Sequence, residues 1–187
     1  MRHTILILII GLSTGLILEN PIIDSNESKY NGLTIGQSKL DDIKSTYGSQ
    51  CKINTKTYSI RMRNRDNESV TFYTINYPKR GINFIVFSNT LKEGSIDKII
   101  FTHPFKGKTD KDIVIGKSTF GDVIKNYGVG YWNSGSLFYS RKLSLSYDNI
   151  TFKTDKSILE DELKEIDKSE LSKLVIKEIE LHLNNDK

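Results

Sequence analysis

One fourteen-residue phrase is written twice, as IGQSKLDDIKSTYG at Ile35–Gly48 and as IGKSTFGDVIKNYG at Ile115–Gly128, with every match 80 positions apart. Gly36 answers Gly116, Ser38 answers Ser118, Asp42 answers Asp122, Tyr47 answers Tyr127 and Gly48 answers Gly128, while Leu40 faces Phe120 and Ile43 faces Val123. A repeat of this period is a duplicated supersecondary unit rather than a solenoid turn, so the chain reads as two copies of a module of roughly 75 residues. Any fold for the chain has to accommodate both.

The phrase has a mechanical reading. Ser38 and Ser118 are expected as N-cap hydroxyls, with Asp41 as a capping-box acid in the first copy only. Leu40, Ile43 and Tyr47 fall on one helical face, as do Phe120, Val123 and Tyr127. Gly48 and Gly128 supply the left-handed residue that ends a helix. Helices this short are marginal alone and need a sheet to pack on.

That sheet follows. KTYSIRMR, SVTFYTINY, GINFIVFS and SIDKIIFTHPF are rich in β-branched and aromatic residues and are separated by the turn formers RDNE, PKRG and NTLKEG. Tyr58, Ile60 and Met62 alternate with Thr57, Ser59 and Arg61, as in a half-buried antiparallel strand, and Val70 and Phe72 are expected in the core. The second copy offers SLFYSRK, KLSLSY, DNITFKT and KLVIKEIELHL, and Ile176, Ile179 and Leu181 repeat Ile96, Ile99 and Phe101 at the same offset of 80. Between them DKSILEDELKEIDKSELS, with Leu159, Leu163 and Ile166 at helical spacing, reads as a short amphipathic helix or an ordered loop. The expected fold is therefore α+β: two tandem repeats, each a short helix followed by a four-stranded antiparallel meander, with a helix layer on a sheet layer. The boundaries are a signal peptide at 1–17, an extended tether at 18–31, a first module at 32–107 and a second at 108–187.

The N-terminal reading rests on MRHTILILIIGLSTGLILEN, where Arg2 and His3 precede an apolar run and Ser13-Thr14-Gly15 offers a small-residue cleavage site. The expected location is exported, periplasmic or secreted; the alternative is anchorage by an uncleaved N-terminal segment, the only membrane contact foreseen. A net charge of +4 does not call for nucleic acid as a partner. Arg61, Arg63 and Arg65 form a local basic stripe, with Lys79 and Arg80 further on, and the single cysteine, Cys51, has no partner for an internal disulfide.

A search for convergent chemistry finds little. His3 belongs to the leader, His182 is placed at a frayed C-terminus, and His103 in FTHPF reads as a loop residue. Cys51 reads as a small structural thiol. No metal-ligand spacing, phosphate loop or singled-out carboxylate pair is evident, so no catalytic residue, metal or cofactor is expected. Aromatic surface remains. Trp132 and Tyr139 surround a Gly/Ser turn in GVGYWNSGSLFYSRK, and Tyr73 and Tyr77 share one face of a strand in VTFYTINYP. Trp and Tyr are overrepresented among interface hot spots, so these four are candidate anchors, with Arg61 and Arg63 beside an acidic rim.

A glycine and a small polar residue opening a short helix, an Asp and Ile/Val within it, a Tyr-Gly close, and a meander ending in I-x-x-I-x-F resemble the module of the β-lactamase-inhibitor-protein and SmpA/OmlA (BamE-like) group. Tandem copies resemble the two-module inhibitor form most. The resemblance covers about residues 32–183 and implies a helix laid on each sheet and a broad face for a protein partner. The chain has neither a lipobox cysteine nor the paired cysteines of the inhibitor. The expected function is that of an exported, non-catalytic protein-binding module, an inhibitor or envelope-associated interaction protein, whose partner is another protein in the envelope or outside the cell. The alternatives are a small ligand-binding or hydrolase-like domain and an envelope-assembly component.

Overall fold

A computed structural model describes residues 21–60, 68–134 and 142–183. In chain order the elements are β1 (Ile22–Asp24), β2 (Lys29–Tyr30), β3 (Leu33–Thr34), α1 (Leu40–Tyr47), β4 (Lys52–Ile60), β5 (Glu68–Tyr77), β6 (Ile82–Phe87), β7 (Lys98–Thr102), β8 (Lys108–Thr109), α2 (Phe120–Tyr127), β9 (Tyr131–Asn133), β10 (Lys142–Ser146), β11 (Ile150–Ser157), α3 (Glu160–Glu165), α4 (Lys168–Ser172) and β12 (Glu178–His182).

The expected α+β pair of helix-plus-meander repeats is corrected by this architecture. Among the described residues the chain is mostly β, with twelve strands in two sheets and only short helices. One sheet has eight antiparallel strands in the order β4-β5-β6-β7-β12-β11-β10-β9; the other is a mixed four-stranded sheet in the order β3-β2-β1-β8. The physical reason lies at the strand edges. An edge strand with free N–H and C=O groups is a template for pairing, and here β7 and β12 pair with each other, Phe101 opposite Ile179 and Ile99 opposite Leu181. The sheet is thus continuous through the middle of the molecule.

The second sheet comes largely from residues read as a tether. From Ile22 onward this stretch forms β1 and β2, and β1 also runs parallel to β8, Ile23 opposite Thr109. Ile23, Tyr30 and Leu33 are buried in the common core. The signal expected at 1–17 lies outside the described residues.

Both helices lie at the repeated phrase, but their caps differ from expectation. The N-caps are Lys39 and Thr119, one residue beyond the predicted serines. Ser38 Oγ and Ser118 Oγ instead accept from the backbone N–H of Thr34 and Val114, each at 3.0 Å, closing the turn before each helix. The acid reaching back is Asp42 in one copy and Asp122 in the other, accepting from the N-cap N–H at 2.8 Å in both, rather than Asp41 in one. Gly48 and Gly128 end the helices at φ +85°, in the left-handed region that favours glycine.

One face of the large sheet and the helices enclose the core. Phe84, Phe101, Phe120 and Phe152 are fully buried there, and each such ring contributes about 1.5–3 kcal/mol over an exposed one. Ile43 of α1 and Val123 of α2 reach the same core at 0% exposure. The first strand of the second copy, expected at SLFYSRK, is instead β9 at Tyr131–Asn133; residues 135–141 lie outside the described set.

Candidate binding face

Strand alternation sends every second residue of the eight-stranded sheet away from the helices. On β4, β5 and β6 these include Lys56, Tyr58, Phe72, Thr74, Ile85 and Phe87, and on β10, β11 and β12 they include Ser144, Ser146, Thr151, Lys153, Glu178, Glu180 and His182. Tyr58 is 52% exposed and Phe87 43%, so this face is open where those rings stand.

The two halves differ in chemistry. In the first, the Tyr58 and Phe72 rings meet edge to face at 5.1 Å, and Phe72 and Phe87 do so at 4.4 Å. They form an aromatic strip, and Tyr58, Phe72 and Ile85 with Lys56 and Thr74 line a shallow hollow of about 390 Å³. Edge-to-face pairs at such separations stabilise beyond the area they bury. Lys56 stands opposite Phe72 across the ladder, and Lys98 opposite Ile85.

In the second half a hollow of about 790 Å³ is floored by a charge ladder. Glu180 accepts from Lys98 Nζ at 2.8 Å and also from Lys153. Glu178 meets Lys153 at 3.1 Å and Lys142 at 3.3 Å. Burial disfavours the Glu180 carboxylate, but hydrogen bonds and charge from Lys153 and Lys98 outweigh it and hold its pKa below the ordinary glutamate value. Burial likewise works against the Lys153 ammonium, and Glu180 and Glu178 overcome it, leaving the pKa raised. Beside the ladder runs a line of polar contacts: His182 Nε2 lies 3.0 Å from Thr151 Oγ1, the Thr151 and Ser146 hydroxyls are 3.1 Å apart, and Asn133 Nδ2 donates to Ser146 Oγ at 2.9 Å. His182, expected at a frayed terminus, is a half-buried residue of β12, and burial first, then Lys98 and Lys153, push its pKa below the ordinary histidine value.

The sequence-predicted anchors do not gather on this face. Tyr77 is buried at 4% exposure; its hydroxyl, pushed up to about 12 mainly by burial, donates to the Gly48 carbonyl at 2.7 Å and so ties down the end of α1. Tyr73 is half-buried on the helix side, donating to the Asn89 carbonyl at 3.3 Å. Trp132 is half-buried against the core, edge to face with Phe120 at 4.9 Å. Tyr139, Arg61 and Arg63 lie outside the described residues. Phe72, expected in the core, projects to the open face instead. The strip of Tyr58, Phe72 and Phe87 escaped the sequence reading because β5 is apolar on both faces. A signal was present: Phe72 and Phe87 have the opposite parity to Ile75 and Phe84, so one sheet face cannot bury both sets.

Among the described residues no group of three or more His, Cys, Asp or Glu side chains is placed to hold a metal ion, and no helix is long and apolar enough to cross a membrane. Cys51 is half-buried against the core.

No protein-family model matches the chain, and no curated protein matches it. Among solved structures the fold is similar to that of the uncharacterized protein yfeY from Escherichia coli, with a TM-score of 0.55 at 12% sequence identity, covering 86% of this chain and 99% of that one. At that identity the likeness is one of fold alone.

Proposed function

We propose that the protein is an exported, non-catalytic binding module whose open sheet face docks another protein through its aromatic half. The observation that carries this reading is the strip of Tyr58, Phe72 and Phe87, in which Phe72 meets the other two rings, on the face turned away from the core. A sheet whose opposite face already buries Phe84, Ile75 and Phe101 has no folding requirement for a second row of aromatics. Exposed aromatic groups set beside lysines suit a partner with an apolar patch edged by carboxylates. Export is supported by the basic and apolar opening of the sequence.

The test is a crosslinking pull-down from the cell envelope with the chain from about Leu16 onward as bait, against a Tyr58→Ala, Phe87→Ala variant checked for unchanged fold. Both rings are more than a third exposed, so the variant should fold while affinity for the captured protein falls by about 1–3 kcal/mol per anchor. A partner retained at full affinity by the folded variant would remove the strip from the interface.

A further inference from the structure

The larger hollow of the open face, about 790 Å³, lies within the size range of small-molecule sites. The pattern of side-chain lengths on the sheet makes it. Across the ladder Ser144 lies between Asn133 of β9 and Lys153 of β11, and Ser146 faces Thr151. These short hydroxyl side chains form the floor, and the longer Lys142, Lys153 and Glu178 stand around them.

One floor residue is left over by the hydrogen bonding. Ser146 and Thr151 are used in the line from Asn133 to His182. Ser144 is only 6% exposed, yet its hydroxyl has no partner among the described residues. No fully enclosed side-chain nitrogen or oxygen there lacks a partner, so the Ser144 oxygen opens on the hollow.

The ladder beside it is paired but not exhausted. Lys98 gives one N–H to Glu180, Lys142 one to Glu178, and Lys153 one to each glutamate. An ammonium carries three donors, so Lys98 and Lys142 keep two each and Lys153 one. The pairing also holds these donors in place before anything binds, which lowers the cost of binding. The formal charge of the hollow cancels: three lysines line it with Asp97, Glu178 and Glu180, and His182, with its lowered pKa, adds no cation at neutral pH. An anion would meet a carboxylate beside each ammonium, and a cation the reverse.

The end of the hollow toward the first half is apolar. Phe87 and Leu183 line it there at 43% and 45% exposure. The ligand that suits such a site is uncharged, offers many groups that both donate and accept, and has an apolar face. A sugar ring has all three: each hydroxyl is a donor and an acceptor, and its C–H face can leave water against an aromatic ring.

We propose that this hollow binds a short neutral oligosaccharide, its hydroxyls over Ser144 and the lysine–glutamate ladder and a C–H face against Phe87 and Leu183. Phe87 edges both this hollow and the aromatic strip, but the sugar site needs no docked protein.

The experiment titrates the full chain alone with maltotriose, cellotriose and tri-N-acetylchitotriose, all neutral, followed by backbone amide NMR and calorimetry. At least one should bind below about 10 mM and shift the amides of Ser144, Lys153 and His182. Its affinity should change by less than about twofold between about 50 and about 500 mM sodium chloride, because no net attraction of charges is screened. Ser144→Ala, which removes no hydrogen bond to a described residue, and Phe87→Ala should each weaken that sugar severalfold in a folded chain. Val129→Ala, between α2 and β9 and 96% exposed, should bind as the parent does. No shift with any of the three sugars up to about 10 mM, an affinity that falls steeply with salt, tighter binding of inorganic phosphate, or full affinity retained by both Ser144→Ala and Phe87→Ala would overturn the proposal.

Discussion

The two halves of the open sheet face sit on one continuous ladder and share one core, yet they resolve their side chains differently. On the half built from β10, β11 and β12, each charge of the central ladder is answered within the chain: Glu180 by Lys98 and Lys153, Glu178 by Lys153 and Lys142. On the half built from β4, β5 and β6, rings meet only other rings, and their outer faces are left to solvent. Surface chemistry that is satisfied internally serves folding, whereas apolar surface left unsatisfied is what association can use. The difference separates a half whose charges are paired within the chain from a half whose aromatic surface is left open, the one proposed to dock a partner.

The sharpest way to break that comparison is to remove the centre of the ladder. Glu180→Ala leaves Lys98 and Lys153 facing each other on a side-chain site only 9% exposed at the glutamate, and removing one partner of such a pair costs about 3 kcal/mol. Urea unfolding should show that loss, while Phe87→Ala, on a ring 43% exposed, should cost under about 1 kcal/mol. Equal losses would erase the distinction between the halves. A sharper arm replaces the pair together: Glu180→Leu with Lys153→Met should recover most of the loss, since an apolar pair of similar volume avoids the desolvation that the ions incur.

How much of this was legible in the sequence depends on whether the determinant is local. The two helices and their glycine stops were, because apolar spacing and a left-handed terminus are written within the repeated phrase, whereas the caps fall one residue beyond the expected serines, at Lys39 and Thr119. The fusion of the strands into one eight-stranded sheet was not, because the pairing of Ile99 with Leu181 joins residues far apart in the chain and has no local signature. Nor were β1, β2 and β3, which at two or three residues each are too short to show a period. The aromatic strip is hidden for a subtler reason. β5 carries Phe72 on one parity and Tyr73, Ile75 and Tyr77 on the other, and only the packing of Tyr47 against Tyr77 and Phe84 decides which set faces inward. Tyr77 looks like an anchor in the sequence because an aromatic on a strand looks alike from either side; its hydrogen bond to the Gly48 carbonyl shows the use the fold makes of it.

The smallest expected effect tests the stabilising half from its edge. His182 has a pKa lowered by burial and by the nearby lysines, so the unfolded chain takes up a proton at that residue before the folded chain does. Stability should therefore be complete above the ordinary histidine range and should decline as pH falls through that range toward the lower folded value. Glu180, whose folded pKa is also lowered, adds a second decline only when pH falls below the ordinary glutamate value. The groups facing His182 are Thr151 at 3.0 Å, the Leu183 carbonyl 3.2 Å from Nδ1, Lys98 opposite it on β7, and Glu180 and Lys153 beside it, so replacement by glutamine removes the titration while keeping a polar group for Thr151. His182→Gln should flatten the mildly acidic part of a stability-against-pH curve and leave the more acidic part in place. A first decline that survives the substitution would assign it to another group, and the internal balance of this half would then rest on the lysine–glutamate ladder alone.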